Sequence, residues 1–131
     1  MARFMLDADT VSYAIRGQGH VATRLLQHRP SELCISSITW AELRFGAEAK
    51  RSAKLRRAID SFAKDITVVS FDQAAADKFA VVAEALARRG KPIGSFDTLV
   101  AAHALSLGLT VVTDNTKHFG RVPKLSVENW A

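Results

Sequence analysis

Short apolar runs alternate with longer amphipathic stretches along this chain of 131 residues. Four runs bounded by polar residues have the pattern of buried β-strands. They lie at residues 4–7, 32–36, 66–69 and 109–113, and a short edge strand is predicted at residues 125–127. The stretches between them predict helices over residues 10–16, 20–27, 38–50, 52–64, 73–89 and 96–107. This alternation predicts an α/β fold, with a mostly parallel sheet covered by helices on both faces and one domain spanning residues 1–131.

Polar residues that can accept hydrogen bonds from free backbone N–H groups precede several of the predicted helices. These residues are Asp9 or Thr10, Ser36 or Ser37, Asp72 and Ser95. They predict where four of the helices begin.

The helix at residues 38–50 carries an acid among its apolar positions. Its apolar stripe is predicted at Ile38, Phe45 and Ala49, and Glu42 falls on the same stripe. A buried carboxylate needs a partner. Alternatively, Glu42 lies at the margin of the stripe, where it reaches water or pairs with Arg44 or Arg51.

The helix at residues 96–107 is apolar on nearly every side, which predicts that it is buried. Its only formal charge is Asp97, in the first turn. The helix dipole favours an acid at that position, but it does not explain an acid on a buried helix. His103, further along, is interpreted as a core or interface histidine.

Acidic and polar residues also follow the first and last of the four apolar runs. Asp7 ends the first run, and Thr113, Asp114 and Asn115 end the last one. The carboxyl ends of parallel strands meet at one edge of the sheet, where Glu42 and Asp97 are also expected. Close carboxylates cannot all stay ionised without a cation. An all-oxygen set suits Mg²⁺ or Mn²⁺, and the chain has no Cys/His set for zinc.

Composition adds a basic character to this picture. The 18 Lys and Arg residues against 13 Asp and Glu give a net charge of +5, which suits a polyanionic partner such as RNA. The candidate contacts to an RNA backbone are Lys50, Arg51, Lys54, Arg88, Arg89 and Lys91. Alternatively, they are solvated helix faces or partners of helix dipoles. The single cysteine, Cys34, and the absence of a long apolar run lead us to expect a cytoplasmic protein without a membrane segment.

Five segments, taken together and in order, resemble those of a known family. They are FMLD at residues 4–7, SSITWAEL at 36–43, RGKPIGSFD at 89–97, VTDNTKHF at 112–119 and VENW at 127–130. The chain resembles the PIN domain and, within it, the VapC-type toxins of bacterial type II toxin–antitoxin pairs. The resemblance implies a PIN-like three-layer sandwich with a central sheet of four to five strands.

The resemblance also implies a metal-dependent endoribonuclease whose catalytic acids are Asp7, Glu42 and Asp97. Asp7 and Asp97 would be the main ligands of Mg²⁺, and Glu42 would bind directly or through water. Thr113 and Asn115 would lie in the outer shell. The chain departs from the family pattern at Asp9, usually asparagine, and at Asn115, often an acid, so Asp9 and Asp114 are further possible ligands. The implied partners are structured RNA, in particular tRNA, a cognate antitoxin and a second copy of the chain in a homodimer. Within the family, the chain looks most like the subgroup associated with initiator tRNA.

Two other functions remain open at this point. The segment DADTV at residues 7–11 fits the short D-x-D-x-[TV] signature of haloacid-dehalogenase-type phosphatases, in which Asp7 would be the nucleophile and Asp9 an acid/base. That function leaves Glu42 and Asp97 unexplained. The other is a catalytically silent PIN-like module that binds RNA or a partner, against which the intact acids argue.

Overall fold

The computed structural model describes all 131 residues, and its centre is a sheet of five parallel strands in the order β3-β2-β1-β4-β5. The strands are β1 (Phe4–Leu6), β2 (Leu33–Ser36), β3 (Thr67–Val69), β4 (Thr110–Val112) and β5 (Val127–Glu128). The helices are α1 (Ala8–Arg16), α2 (Val21–Leu25), α3 (Ser37–Ala49), α4 (Ala53–Ala63), α5 (Gln73–Arg88), α6 (Ser95–Leu107) and α7 (Thr116–Phe119), with a 3₁₀ turn at Pro30–Glu32. The predicted α/β class and parallel sheet are confirmed.

Alternating side chains of the strands divide the core into two clusters. Met5 packs with residues of α5 and α6 in one cluster. Its neighbours Phe4 and Leu6 pack with residues of α1, α3 and α4 in the other. Since successive strand residues point to opposite faces, this division places helices on both sides of the sheet. Trp130, near the end of the chain, is buried in the second cluster.

The register of the two central strands aligns their carboxyl ends. Leu6 of β1 lies beside Val112 of β4, and the next residue continues the ladder, because the backbone N–H of Asp7 donates to the carbonyl of Val112 at 2.9 Å. Asp7 and Thr113 therefore leave the sheet side by side. This alignment sets the position of the candidate site.

Three sequence predictions about the helices are wrong in detail. The buried residues of α3 are Thr39, Leu43 and Ala47, spaced four apart, whereas Phe45 is 75% exposed. The apolar character of Phe45 therefore did not decide which face of the helix is buried. The N-cap of α1 is Asp7 rather than Asp9 or Thr10, and the N-cap of α6 is Gly94 rather than Ser95.

Ser36 and His103 join β2, α3 and α6. The Ser36 hydroxyl accepts a hydrogen bond from the backbone N–H of Ile38 at 3.0 Å and so caps α3. The same oxygen lies 2.8 Å from Nδ1 of His103, which is buried as a core residue, as the sequence predicted. Burial lowers the pKa of His103. None of the helices has the length and apolarity needed to cross a bilayer.

Candidate functional site

Asp7 stands at the junction of β1 and α1. Only 5% of its surface is exposed. Its Oδ1 accepts from the backbone N–H of Ala8 at 2.8 Å, and its Oδ2 accepts from the hydroxyl of Thr113 at 3.0 Å. Burial, and then the negative charges of Asp9 and Asp97, raise the pKa of Asp7 to about 7. The fold therefore holds a carboxylate here at a cost in solvation free energy.

The residues after β4 connect Asp7 to Asp97. Thr113 donates to Asp7, and its hydroxyl oxygen accepts from the backbone N–H of Asn115 at 2.9 Å. The side-chain amide of Asn115 then donates to Oδ2 of Asp97 at 3.2 Å. A continuous path of hydrogen bonds thus joins Asp7 and Asp97, the two acids predicted to be the main ligands of Mg²⁺.

Asp97 reaches this path from the first turn of α6. The preceding Gly94 has φ 95°, a backbone conformation that side-chain-bearing residues rarely adopt, and this turn begins the helix. Asp97 is half-buried, although most of the helix after it lies in the core. The apolar body of α6 therefore anchors a carboxylate at the carboxyl edge of the sheet.

Glu42, in α3, faces the same group of acids. One of its carboxylate oxygens, Oε1, is buried and has no hydrogen-bond partner. Burial, and then the charges of Asp97 and Asp9, raise its pKa to about 7. The alternative partners suggested from the sequence are engaged elsewhere or distant: Arg44 pairs with Asp60 at 2.8 Å, and Arg51 lies beyond the end of the helix.

Asp9 and Asp114, the two further acids, differ in where they point. Asp9 is partly buried, its pKa is raised by burial, and its charge acts on both Asp7 and Glu42. Asp114 is exposed, and its carboxylate accepts from the Tyr13 hydroxyl at 2.9 Å and from the Asn129 amide at 3.1 Å. Asp9 therefore belongs to the acidic group, whereas the Asp114 carboxylate is held by residues outside it.

The sequence interpretation gave no role to His118 or Tyr13. Nδ1 of His118 lies 2.9 Å from the amide nitrogen of Asn115 and 3.4 Å from Oδ2 of Asp97. The position of His118 three residues after Asn115, across a helical turn, is the signal that could have found it. Tyr13 contacts Asp114 across 101 positions of the chain, and no local pattern predicts such a contact.

The six candidate RNA-binding residues fall into two groups. Arg88, Arg89 and Lys91 end α5 and begin the connection to α6, whose first turn carries Asp97. Arg88 pairs with Glu84, and Arg89 donates to the carbonyl of Arg121. The second group lies between the C-terminal end of α3 and the start of α4 and consists of Lys50, Arg51 and Lys54. Lys50 is eight residues beyond Glu42, about 12 Å along the helix axis. Lys91 is six residues before Asp97 in the chain, whereas Lys54 is twelve residues after Glu42 and lies in α4.

The donor set fits a divalent cation in its chemistry. As placed, no group of three or more His, Cys, Asp or Glu side chains has the arrangement of a metal site. The acids are nevertheless oxygen donors of the kind that Mg²⁺ and Mn²⁺ take. Burial, and then repulsion by Asp9 and Asp97, raise the pKa of both Asp7 and Glu42, and the buried Oε1 of Glu42 lacks a partner. A cation would reduce the repulsion between the carboxylates and would give the unpaired oxygen a partner.

Comparisons with known proteins agree with this architecture. The family model described as PIN domain matches residues 4–125. The chain is 37% identical over 132 residues, and full coverage of both chains, to the tRNA(fMet)-specific endonuclease VapC of Shigella flexneri. It is 35% identical to Ribonuclease VapC2 of Haemophilus influenzae over 131 residues, which is 99% of each chain.

Solved structures give the same result. DNA-bound VapBC from Salmonella typhimurium superposes with a TM-score of 0.90, 37% identity and full coverage of both chains. VapBC2 from Rickettsia felis, bound to a DNA fragment from its promoter, superposes with a TM-score of 0.91, 30% identity and 98% coverage of each chain.

The fold and the site define a parallel α/β protein that gathers carboxylates at the carboxyl edge of its sheet. Within that class, the chain belongs to the PIN-domain family and to its VapC-type members. The predicted family, the fold and the class of enzyme, a ribonuclease, are therefore confirmed.

Proposed function

We propose that this chain is the toxin of a VapC-type toxin–antitoxin pair and hydrolyses phosphodiester bonds in structured RNA with the help of a divalent cation. The observation that carries the proposal is that four acids come together in a protein that is basic overall. The acids are Asp7, Asp9, Glu42 and Asp97. Burial, and then the charges of Asp9 and Asp97, raise the pKa of Asp7 and Glu42. Such repulsion is costly unless a cation occupies the site.

In this proposal Asp7 and Asp97 are the main ligands of Mg²⁺, for which Mn²⁺ would substitute. When bound, the cation polarises a water molecule and neutralises charge on the scissile phosphate. Glu42 would hold the cation directly or through water and would orient the attacking water. Thr113 and Asn115 hold the carboxylates of Asp7 and Asp97 in place through the hydrogen bonds described above. Asp9 adds charge to the site, and the engaged carboxylate of Asp114 is the weaker candidate ligand.

tRNA is the substrate that we propose. Two observations support it: relatives from Shigella flexneri and Salmonella typhimurium bear the name tRNA(fMet)-specific endonuclease, and the chain has a net charge of +5. Contacts from Arg88, Arg89 and Lys91 to phosphates would add affinity without reading sequence. Lys50, Arg51 and Lys54 would contact only an RNA that extends beyond the site.

The proposed protein partners are a cognate antitoxin and a second copy of the chain. The solved VapBC structures support an antitoxin partner. We place the protein in the cytoplasm, where the free thiol of Cys34 would stay reduced. We also propose that residues 1–131 fold as one domain.

Cleavage of purified total tRNA tests the function. The wild type is incubated with Mg²⁺, with Mn²⁺ and with EDTA, alongside Asp7→Asn and Asp97→Asn. Asp77→Asn is the matched control, because Asp77 is an exposed acid of α5 outside the site. We expect a discrete metal-dependent product that persists in the control and is lost in both site variants.

Other results would overturn the proposal. Cleavage that survives EDTA or both site variants would remove the assigned acids from the reaction. Phosphate release from a small phosphomonoester that depends on Asp7 and Asp9 would favour the phosphatase. RNA binding without cleavage in any metal would favour the silent binding module.

A further inference from the structure

His118 is brought to Asp97 by the fold, and none of the roles assigned above uses it. Its Nδ1 lies 2.9 Å from Nδ2 of Asn115 and 3.4 Å from Oδ2 of Asp97. Nδ2 of Asn115 lies 3.2 Å from the same oxygen of Asp97. The three side chains therefore form one hydrogen-bonded set at the edge of the acidic group. The His118 side chain is 39% exposed.

The chemistry of the three groups fixes which atoms donate. An amide nitrogen only donates, and an ionised carboxylate only accepts. Asn115 must turn its NH₂ group toward Asp97, since its carbonyl oxygen in that position would face a carboxylate oxygen. With the imidazole neutral, the second N–H of the same group meets Nδ1 of His118 as an acceptor. The proton of the neutral imidazole is therefore on Nε2.

The local structure leaves Asn115 free for this arrangement. Asn115 is the N-cap of α7, but its side chain makes no capping hydrogen bond. His118 follows three residues later, on the same side of the helical turn. The short helix α7 thus presents the two side chains together toward Asp97.

We infer that His118 is a positioning residue that acts through Asn115. By accepting from the amide, His118 fixes the rotation of the Asn115 side chain, and the fixed amide holds the carboxylate of Asp97. Without an acceptor at the position of Nδ1, the second N–H of the amide loses its partner, and the Asn115 side chain is free to rotate out of the position in which it donates to Asp97. The inference rests on the proposed function, in which Asp97 holds a divalent cation.

Three variants separate this role from packing. His118→Asn places Oδ1 at the same distance from the backbone as Nδ1, so it keeps the acceptor. His118→Gln moves the acceptor to the distance of Nε2, and His118→Ala removes it. Lys117→Ala is the matched control, because Lys117 is an exposed residue of the same helix whose side chain makes no hydrogen bond. Thermal melting of each variant checks that it folds.

Two measurements that need no RNA carry the test. Long-range ¹H–¹⁵N spectra of the metal-free wild type report the tautomer of His118, and we expect the proton on Nε2. Electron paramagnetic resonance reports Mn²⁺ affinity. We expect His118→Ala and His118→Gln to weaken Mn²⁺ binding by about 10- to 100-fold, and His118→Asn to stay within a few-fold of the wild type.

Several outcomes would overturn the inference. They are a proton on Nδ1, an unchanged Mn²⁺ affinity in His118→Ala, or equal losses in His118→Asn and His118→Ala, which would indicate packing of the ring. The measurements also distinguish failure of the proposed function from failure of the role inferred for His118. Mn²⁺ binding that follows the expected pattern in a protein that cleaves no RNA would remove the function and leave the role of His118. Absence of any Mn²⁺ binding by the wild type would overturn both.

Discussion

Asp7 combines two demands that normally conflict. Its carboxylate caps α1 and is held by Thr113, yet burial and two neighbouring acids raise its pKa to about 7. A side chain that only capped the helix would be more stable without the charge. The retained charge is therefore better explained by the proposed cation than by the stability of the fold.

The first prediction concerns the cost of that charge. Asp7→Asn keeps the N-cap, since asparagine is as good a cap as aspartate, and removes the buried negative charge. We expect the metal-free protein at pH 8 to gain on the order of 1–3 kcal/mol in free energy of unfolding. RNA cleavage should be lost in the same variant. Urea denaturation in EDTA measures the gain, and a destabilised Asp7→Asn would contradict it.

The second prediction is a fall in stability with rising pH. Because Asp7 and Glu42 have raised pKa values in the folded protein, the folded state binds more protons than the unfolded state between about pH 4 and pH 7. The free energy of unfolding without metal should therefore decrease through this range and level off above about pH 8. Denaturation in EDTA at several pH values measures the slope.

Glu42→Gln is the control for that slope. The variant removes one of the two titrating groups, so its stability should fall less steeply over the same pH range. Glu48→Gln, an exposed acid of the same helix, should keep the slope of the wild type. A wild-type stability that rises between pH 5 and pH 8 would contradict the assigned burial of both acids.

At the scale of elements, Ser36 joins a strand end, a helix cap and a buried histidine. The third prediction is that Ser36→Ala costs on the order of 2–4 kcal/mol, because it removes the cap of α3 and leaves Nδ1 of His103 without a partner. Ser52→Ala removes only the cap of α4 and should cost about 1 kcal/mol. Urea denaturation of both variants tests the difference, and equal costs would contradict the role of His103.

The helices also show how far a local pattern reaches. The apolar run of α6 predicted its burial correctly, because nearly every side chain of the helix is apolar. In α3 the pattern misled, since the buried face uses Thr39 and leaves Phe45 exposed. Which face of α3 is buried depends on the helices that pack against it. The sequence of α3 alone does not specify those neighbours. Glu42 stays a predicted site acid; in the structure it is partly buried, and the charges of Asp97 and Asp9 act on it.

At the scale of the whole molecule, the sequence predicted the parallel sheet but not its strand order. Three of the five strands have only three residues, too few to specify their partners. The convergence of Asp7 and Asp97 was predictable, because the carboxyl ends of parallel strands lie at one edge of the sheet, where helices that follow the strands also begin. The contact of Tyr13, in α1, with Asp114, after β4, depends on the strand order, so it was not predictable.

Charge is separated over the molecule, and the fourth prediction follows from that separation. The acids of the site repel phosphates, so RNA affinity must come from the basic residues around it. Lys91 lies on the connection to the first turn of α6, whereas Lys54 is in the first turn of α4, beyond the far end of α3. In the Asp7→Asn background, which should not cleave, Lys91→Gln should lower the slope of log affinity against log salt by roughly 0.7–0.9, the value of one lost phosphate contact. Lys54→Gln should leave the slope of tRNA binding unchanged. If both variants lowered the slope equally, the bound RNA would have to extend along α3, and the two basic groups would form one continuous surface.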